Sequence, residues 1–481
     1  MIIMLLGLLM LAGALSTKIS ARVGVPALVV FVGLGMLLGR FFYFDDAFIT
    51  QLFGTLALIA ILFEGGLNTS WPDVKPVCRA ALSLATVGVL VTAVVLGLLA
   101  HFLLGLPWLE GMLFGSIVGS TDAAAVFAVI GGQRLRKPLA ATVTAESGLN
   151  DPTAIFLTML CIQLLTQPQT SIGSLGLFFL QQVGIGSVTG LVAGKAVVAV
   201  INRVRMQSSG LYPILTLACA TVVYALTALL GGSGFLAVYL MAIIAGNSEL
   251  VYRPAIFRFN EGFAWMMQIF MFVLLGWLVF PEQLTNLALS GFSLAVLLMA
   301  VARPAAVWVS LARSEFSGRE KLFLSWAGLK GAVPILLGTY PLLAGLPNAK
   351  LIFNATFFVV MASALIQGST VNLAARLLGL AEKGRRPSPY AVELVALEKT
   401  DSEIVEIEID AENAAANREI RDLSLPEAVL IVAIMRENAL ITPRGETRLL
   451  PGDVLYVLTP KRQVDCIQQV FATSEGAVCE L

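Results

Sequence analysis

Residues 145–153 read AESGLNDPT and lie inside an apolar run that extends over residues 138–165. The run is long enough to cross the roughly 30 Å hydrocarbon core of a membrane as a helix. Ionisable side chains inside such a run cost several kcal/mol unless they are paired, hydrated or functional. Glu146 and Asp151 therefore predict that this membrane-spanning helix carries a functional site.

The composition of the whole chain also indicates a membrane protein. Of the 481 residues, 58% are hydrophobic and 13% are charged, whereas soluble proteins usually carry about a quarter of their residues as charges. The apolar runs recur from Met1 to about Leu380 and are continuous rather than alternating, which favours helices over a β-barrel. A cytosolic enzyme is excluded for this part of the chain.

The first 385 residues are predicted to form an all-α polytopic membrane domain with about thirteen spans. The apolar N-terminal run lacks the basic region of a signal peptide, so we expect it to be the first helix. The predicted spans are 2–17, 24–40, 47–65, 77–104, 110–132, 138–165, 173–201, 211–231, 233–247, 262–280, 286–312, 322–345 and 351–379.

The charges of the loops predict the orientation of these spans. Eighteen Lys and Arg residues fall in one set of alternate loops and the tail, but only Arg40 and Lys350 fall in the other set. Basic loops remain on the cytoplasmic side. We therefore expect a bacterial inner-membrane protein with its N-terminus outside and its C-terminal domain in the cytosol.

The C-terminal part of the chain is acidic and is predicted to be a small α+β domain. Residues 391–481 hold 17 acidic and 8 basic side chains, which argues against nucleic acid as a partner. We place a linker over 386–400 and the domain over 401–481. Strands are predicted at 403–409, 428–435 and 454–458, followed by a helix over 463–471.

Two further spans contain the residue types that interrupt membrane helices. The fifth span reads GSTDAAA over residues 119–125, and the twelfth reads GLKGAVP over residues 328–334. Broken helices in matching positions of two repeats indicate a transporter site. Spans 1–6 and 8–13 would be inverted repeats, and Asp122 and Lys330 would neutralise opposing helix ends. Two unrelated glycine-rich packing helices are the alternative.

The combination of these segments resembles the cation:proton antiporter 1 family, the NhaP-type sodium or potassium/proton exchangers. The likeness covers nearly all of residues 1–380. The matching pieces are FEGGL at 63–67, GSTD at 119–122, ESGLND at 146–151, ARP at 302–304 and GLKG at 328–331.

The resemblance implies a homodimer whose protomers have a dimerisation region and a six-helix core with crossed, unwound helices. It implies that Asp151 is the exchanging carboxylate for a monovalent cation, and that Glu146 and Arg303 form a structural ion pair. Lys330 departs from the arginine of many relatives and loses its planar donor fork. The other implied ligands of the cation are Thr121, Asp122, Ser147 and Asn150.

The C-terminal domain resembles the C-terminal lobe of the regulator-of-potassium-conductance module. No GxGxxG fingerprint precedes it, so the nucleotide-binding half of that module is absent. No resident cofactor is expected. The sequence leaves open whether this lobe binds a regulatory nucleotide or ion, and which ligand that would be. The five cysteines and the single histidine have no metal-binding spacing.

The predicted activity is electroneutral potassium/proton exchange by alternating access around Asp151, in which a proton and a cation compete for the same oxygens. A sodium/proton antiporter is the main alternative. A gated potassium channel lacks a TVGYG-type filter, and an organic-anion symporter would need a less acidic site. A membrane enzyme lacks HExxH, GxSxG and phosphate-loop motifs.

Overall fold

The chain folds as two compact units, Met1–Arg385 and Arg386–Leu481. The computed structural model describes residues 7, 11, 13, 27–41, 46–130, 134–167, 171–279, 287–382, 402–409, 413, 415–423, 425–426, 428–436, 439–460, 463–464, 467 and 471.

The described residues of the first unit form fourteen helices. Eight of them are long and apolar enough to cross a membrane. In chain order, the helices are α1 Ala27–Gly39, α2 Ala47–Leu67, α3 Trp71–Leu104, α4 Trp108–Ile117, α5 Ala123–Ile130, α6 Lys137–Thr166, α7 Ile172–Arg203, α8 Leu211–Leu229, α9 Gly234–Gly246, α10 Arg253–Trp277, α11 Ala288–Ser310, α12 Gly318–Trp326, α13 Ala332–Leu343 and α14 Ala349–Leu377.

These helices account for the second to the thirteenth predicted spans. Ten spans are single helices, while α4 and α5 together form the fifth span and α12 and α13 together form the twelfth. The first predicted span, 2–17, lies almost entirely outside the described residues. A short break at 230–233 separates α8 from α9, where the sequence has two glycines and a serine. The Ser233 hydroxyl accepts a hydrogen bond from the Leu236 amide and caps α9.

The helices pack as two bundles. The first, called the scaffold bundle below, contains α1, α2 and α7–α10, and the second, the core bundle, contains α3–α6 and α11–α14. Small residues allow close packing within each bundle. In the core bundle a Cβ on Gly97 would lie 2.9 Å from the carbonyl oxygen of Gly111. In the scaffold bundle Gly276 presses against the backbone of Val32.

Both predicted helix breaks are present, and they meet inside the core bundle. The backbone leaves helical geometry at 118–122, between α4 and α5, and again at 327–331, between α12 and α13. The Asp122 amide donates to the carbonyl oxygen of Leu329, at 2.8 Å. The two extended segments therefore satisfy each other's backbone groups where neither helix can.

Pro152 lies inside the sixth span, and the expectation from its sequence position, that it disturbs the helix there, is wrong. Helix α6 runs without a break from Lys137 to Thr166, and Asp151 has helical geometry. Proline removes only one helical hydrogen bond, the one to the carbonyl of Gly148, and membrane helices tolerate that loss when neighbouring helices pack around them. Asp151 is therefore displayed from a rigid helix.

A two-stranded sheet joins two distant loops of the first unit. Strand β1, Arg134–Leu135, pairs antiparallel with β2, Ala381–Glu382. Leu135 and Leu380 are both buried at this join. The sheet ties the connection between α5 and α6 to the residues that follow α14.

The second unit contains a four-stranded antiparallel sheet in the order β3-β6-β4-β5. Its strands are β3 Ser402–Glu408, β4 Leu430–Arg436, β5 Ala439–Ile441 and β6 Val454–Pro460. Three of them were predicted, and β5 was not, because three residues carry too short an alternating pattern. The predicted linker and most of the predicted final helix lie outside the described residues.

Candidate functional site

The crossing of the two broken helices holds a buried lysine. Lys330 is 1% exposed, and its ammonium donates to the carbonyl oxygens of Ser120 at 2.9 Å and Gly119 at 3.3 Å. These carbonyls follow the end of α4, where a helix leaves backbone oxygens without partners. The positive charge therefore sits at the negative end of the α4 dipole.

Asp122 occupies the opposite kind of position, at helix N-termini. Its Oδ1 accepts from the Ala125 amide at 3.1 Å and so caps α5. Its Oδ2 lies over Gly331, directly before α13, so closely that a Cβ on Gly331 would overlap it. Asp122 and Lys330 thus oppose the charges of the helix ends that meet at the crossing.

Two polar side chains of α6 hold the extended segment at 118–122 in place. The Ser147 hydroxyl donates to the Thr121 carbonyl at 2.9 Å and accepts from the Ala123 amide at 3.1 Å. The Asn150 side-chain amide donates to the Thr121 hydroxyl at 2.6 Å. These contacts fix the crossing against α6 and fix which way the Asn150 oxygen points.

Asp151 lies on the same helix beside this crossing and is 6% exposed. The charges of Asp122 and Lys330 act on it with opposite sign. Two buried side-chain oxygens here, Asp151 Oδ1 and Asn150 Oδ1, have no hydrogen-bond partner among the described residues, and the buried Ser120 hydroxyl interacts with the Asp151 carboxylate. A carboxylate, an amide and a hydroxyl oxygen are the ligand types that hard cations prefer.

Glu146 and Arg303 form a buried ion pair below the crossing, with Arg303 Nη1 2.6 Å from Glu146 Oε1 and both side chains at most 4% exposed. The guanidinium N–H bonds do not point along this contact, so it is an ion pair without hydrogen-bond geometry. Arg303 also donates to the Leu324 carbonyl of α12 at 3.3 Å. The Arg303 side chain passes over Gly328, where any Cβ would collide with it.

A cavity of about 350 Å³ reaches Asp151 from the boundary between the two bundles. Asp122, Thr121, Ser147 and Asp151 line its core-bundle side. On the scaffold side it is lined by Glu64, whose Oε1 accepts from the Asn68 side chain at 2.6 Å, and by Tyr239 and Gln268. The candidate site is therefore open to small ions along one boundary.

The sequence analysis assigned no role to Glu64, Tyr239 or Gln268. Glu64 is an ionisable residue inside an apolar run, so its signal was available. Gln268 is a polar residue within the apolar part of α10, which is the signal that was available. Tyr239 carries none, because its ring suits an apolar helix. Lys195, another ionisable residue of the apolar runs, is exposed on α7 and is not part of the cluster.

A membrane domain of two helical bundles, with crossed broken helices and a buried carboxylate at the crossing, defines a multi-pass membrane transporter. The chain belongs to the sodium/hydrogen exchanger family, because residues 6–376 match the family described as "Sodium/hydrogen exchanger, transmembrane". Residues 404–472 match the TrkA-C domain. The predicted family, the helical fold and the regulatory type of C-terminal lobe are confirmed.

Known proteins resemble the chain over most of its length. It is 38% identical to "K(+)/H(+) antiporter NhaP2" of Shewanella baltica, over 97% of this chain and 82% of that protein. It is 36% identical to "K(+)/H(+) antiporter NhaP" of Alkalimonas amylolytica, over 99% and 84%. The solved structure of the sodium proton antiporter MjNhaP1 from Methanocaldococcus jannaschii superposes with a TM-score of 0.69, at 26% identity, over 76% of this chain and 98% of that one.

Proposed function

We propose that the protein is a secondary active monovalent cation/proton antiporter, with potassium as the cation and Asp151 as the group that binds cation and proton in turn. The observation that carries this proposal is the Asp151 carboxylate, which is buried beside the crossed helices, has an unpartnered oxygen and is reached by a cavity. Ser120 and Asn150 supply further oxygens, and Thr121, Asp122 and Ser147 hold the crossing in shape.

Competition for one carboxylate explains why such a site exchanges ions rather than leaking them. The Asp151 oxygen binds either a proton or a cation, and both neutralise its charge. An empty, anionic site is costly to carry through a low-dielectric barrier. Only the occupied site crosses, so each inward proton is matched by one outward cation.

The neighbouring Asn150 supports a one-for-one, electroneutral stoichiometry. A second carboxylate at that position would bring a second exchangeable charge, whereas an amide brings none. Asn150 is fully buried and its Nδ2 is occupied by the Thr121 hydroxyl. The charges of Lys330 and Asp122 stay fixed at helix ends during the cycle.

The two-bundle architecture supports alternating access. The groups that bind the cation belong to the core bundle, while Glu64, Gln268 and Tyr239 face them from the scaffold bundle. Movement of the core bundle along the scaffold would carry the site from one aqueous side to the other. We assign the scaffold bundle to a homodimer interface.

Potassium is favoured over sodium by the relatives that share both parts of the chain. The two relatives named as K(+)/H(+) antiporters cover at least 97% of it. The sodium proton antiporter structure covers 76%. Sodium remains the alternative substrate. The loop charges favour an orientation with the N-terminus outside and the TrkA-C domain in the cytosol, and the Shewanella and Alkalimonas relatives support a bacterial inner membrane as the location.

The test is proton flux in proteoliposomes that contain the purified full-length chain and an internal pH dye. We expect an outward potassium gradient to acidify the lumen, a sodium gradient to do so less, and an imposed membrane potential alone to do nothing. Asp151→Asn, checked for folding by gel filtration, should abolish the flux. Asp73→Asn, which changes an exposed carboxylate, should leave it unchanged.

Flux driven by the potential alone would overturn the one-for-one stoichiometry. Exchange that survives Asp151→Asn would remove that residue from its role. If a sodium gradient acidified the lumen as much as a potassium gradient or more, sodium would be the transported cation. Steady ionic currents without proton exchange would support the channel alternative.

A further inference from the structure

A second, larger cavity opens at the end of the core bundle that carries the basic loops. Its volume is about 820 Å³. It lies between the first turns of α3, the start of α6 at Pro138, and the loop 311–316 after α11. None of the groups assigned to cation binding lines it.

Two free guanidinium groups line this cavity. Arg79 and Arg313 are both exposed, and neither makes a hydrogen bond or ion pair among the described residues. The Ser310 hydroxyl, also in the wall, is buried and has no hydrogen-bond partner among those residues. The Ser310 carbonyl is already occupied by Ser83, at 2.8 Å. The Ser310 hydroxyl packs against Gly88 of α3, so the donors that face the open cavity are the two guanidinium groups.

Donors of this kind suit a phosphate group. Arginine presents a planar fork that matches phosphate oxygens, and two such forks can bind one phosphate group from two sides. Across the three segments that meet here, at 68–80, 134–138 and 311–321, eight side chains are basic and three are acidic. The surroundings therefore also attract an anion.

Two acidic side chains share the cavity wall. The carboxylate of Glu320 is committed to the capping box of α12, where it accepts from the Ser317 amide and hydroxyl, both at 2.8 Å. Glu315 has no such partner in the described part of the chain, and its charge weakens the positive field of the cavity. This charge gives an independent test, because its removal must strengthen the binding of an anion.

The outer rim beside the cavity is apolar, which indicates that the phosphate belongs to a lipid. Trp308 and Val309, at the end of α11, are 51% and 55% exposed. The Lys321 ammonium lies over the Trp308 ring, 5.6 Å from its centroid. Exposed tryptophan next to basic side chains is typical of the membrane–water interface, where basic pockets between helices bind lipid headgroups.

We propose that this cavity binds the phosphate of an anionic phospholipid, held by Arg79 and Arg313, with the acyl chains along Trp308 and Val309. This site is separate from the exchange site. Its occupancy stabilises the loops that join α11 to α12 and start α3.

The experiment is a thermal unfolding titration of the full-length protein in neutral detergent with short-chain phosphatidylglycerol. We expect a saturable rise in Tm, and no rise with the matched phosphatidylcholine. The double variant Arg79→Ala/Arg313→Ala should weaken the apparent affinity by about tenfold or more. Arg319→Ala, which removes a neighbouring arginine outside the cavity wall, should change it by less than about twofold.

Glu315→Gln should tighten phosphatidylglycerol binding, which keeps the proposal testable if the arginine variants fail to fold. Binding that is unchanged by both the arginine and the Glu315 variants would overturn the site. If glycerol 3-phosphate or inorganic phosphate raised Tm as much as the lipid, the phosphate site would stand and its lipid identity would be overturned. Equal responses to phosphatidylcholine would overturn both.

Discussion

The ammonium of Lys330 lies 2.9 Å from the carbonyl oxygen of Ser120, across the point where the two broken helices meet. A lysine makes this contact without the planar fork of an arginine, because the acceptors are two backbone oxygens, those of Ser120 and Gly119, rather than one carboxylate. A compact point charge suits that arrangement. The crossing is therefore held by an interaction between a side chain and a helix end.

Lys330→Met should destabilise the fold, because it leaves both carbonyl oxygens buried and unpaired. We expect the free energy of unfolding to fall by about 3 kcal/mol. The measurement is reversible unfolding in mixed detergent micelles, followed by tryptophan fluorescence. Lys350→Met, at an exposed position at the start of α14, is the matched control and should change stability by less than about 0.5 kcal/mol. Similar stability for the two variants would show that the contact contributes little.

The ion pair of Glu146 and Arg303 predicts a strong energetic coupling. Each neutral single variant, Glu146→Gln or Arg303→Met, leaves one buried charge without its partner. We expect it to lower the free energy of unfolding by about 3–5 kcal/mol. The double variant should cost less than the sum by more than about 1 kcal/mol. The four proteins are compared in one double-mutant cycle of unfolding free energies. Additive costs would mean that the two residues are stabilised by other groups.

Much of this architecture could be predicted from the sequence because membrane helices are encoded locally. Apolar runs of sufficient length identify the spans, and charged residues among glycines identify the breaks at 118–122 and 327–331. Glu146, Asp151 and Lys330 stand out for the same reason, since each is a costly residue in an apolar helix.

Other features depended on contacts that local patterns do not encode. The helix through Pro152 stays continuous because tertiary packing outweighs one lost hydrogen bond. Tyr239 reaches the site only because α9 packs across α6, and its ring is ordinary for an apolar helix. The scaffold wall of the cavity could therefore not be predicted, whereas the charged core wall could.

The C-terminal domain has its own buried charge, at the turn before β6. Asp453 is 1% exposed, and its carboxylate accepts two hydrogen bonds from Arg436, at 2.8 and 2.7 Å, and one from the Leu450 amide, at 2.8 Å. Gly452, which precedes it, has a φ of +94° and so allows the tight turn. The arginine fork thus joins β4 to the start of β6.

Asp453→Ala should loosen this domain, because it leaves Arg436 and the turn amide without their acceptor. A loss of about 3 kcal/mol is expected, which corresponds to roughly a hundredfold faster hydrogen exchange for the protected amides of β4 and β6. Mass spectrometry of the full-length protein measures this. Glu446→Ala, at an exposed position in the same domain, should leave exchange unchanged. Unchanged protection in Asp453→Ala would contradict the assignment.

The two bundles approach each other closely where Gly148 of α6 meets the ring of Tyr239 of α9. A Cβ on Gly148 would overlap that ring. The Tyr239 hydroxyl is 3.4 Å from the Thr69 hydroxyl, which lies just after α2 and donates to the Gly65 carbonyl of that helix at 2.7 Å. The ring is thus anchored on the scaffold side, and Gly148 provides the smooth surface that allows α6 to lie against it.

Gly148→Ala should therefore impair exchange without unfolding the protein. The added methyl group disfavours this arrangement of the bundles by about 1–3 kcal/mol, and a cycle that must pass through it should slow by about tenfold. The measurement is potassium-driven proton flux in proteoliposomes, normalised to folded protein. Gly184→Ala, where nothing lies within 4 Å of the added atom, should keep the original rate. The second-site change Tyr239→Leu should restore much of the flux to Gly148→Ala, because it removes the ring that the methyl group meets. If Gly148→Ala exchanges normally, or if Tyr239→Leu fails to raise its rate, this contact does not limit the movement of the core bundle.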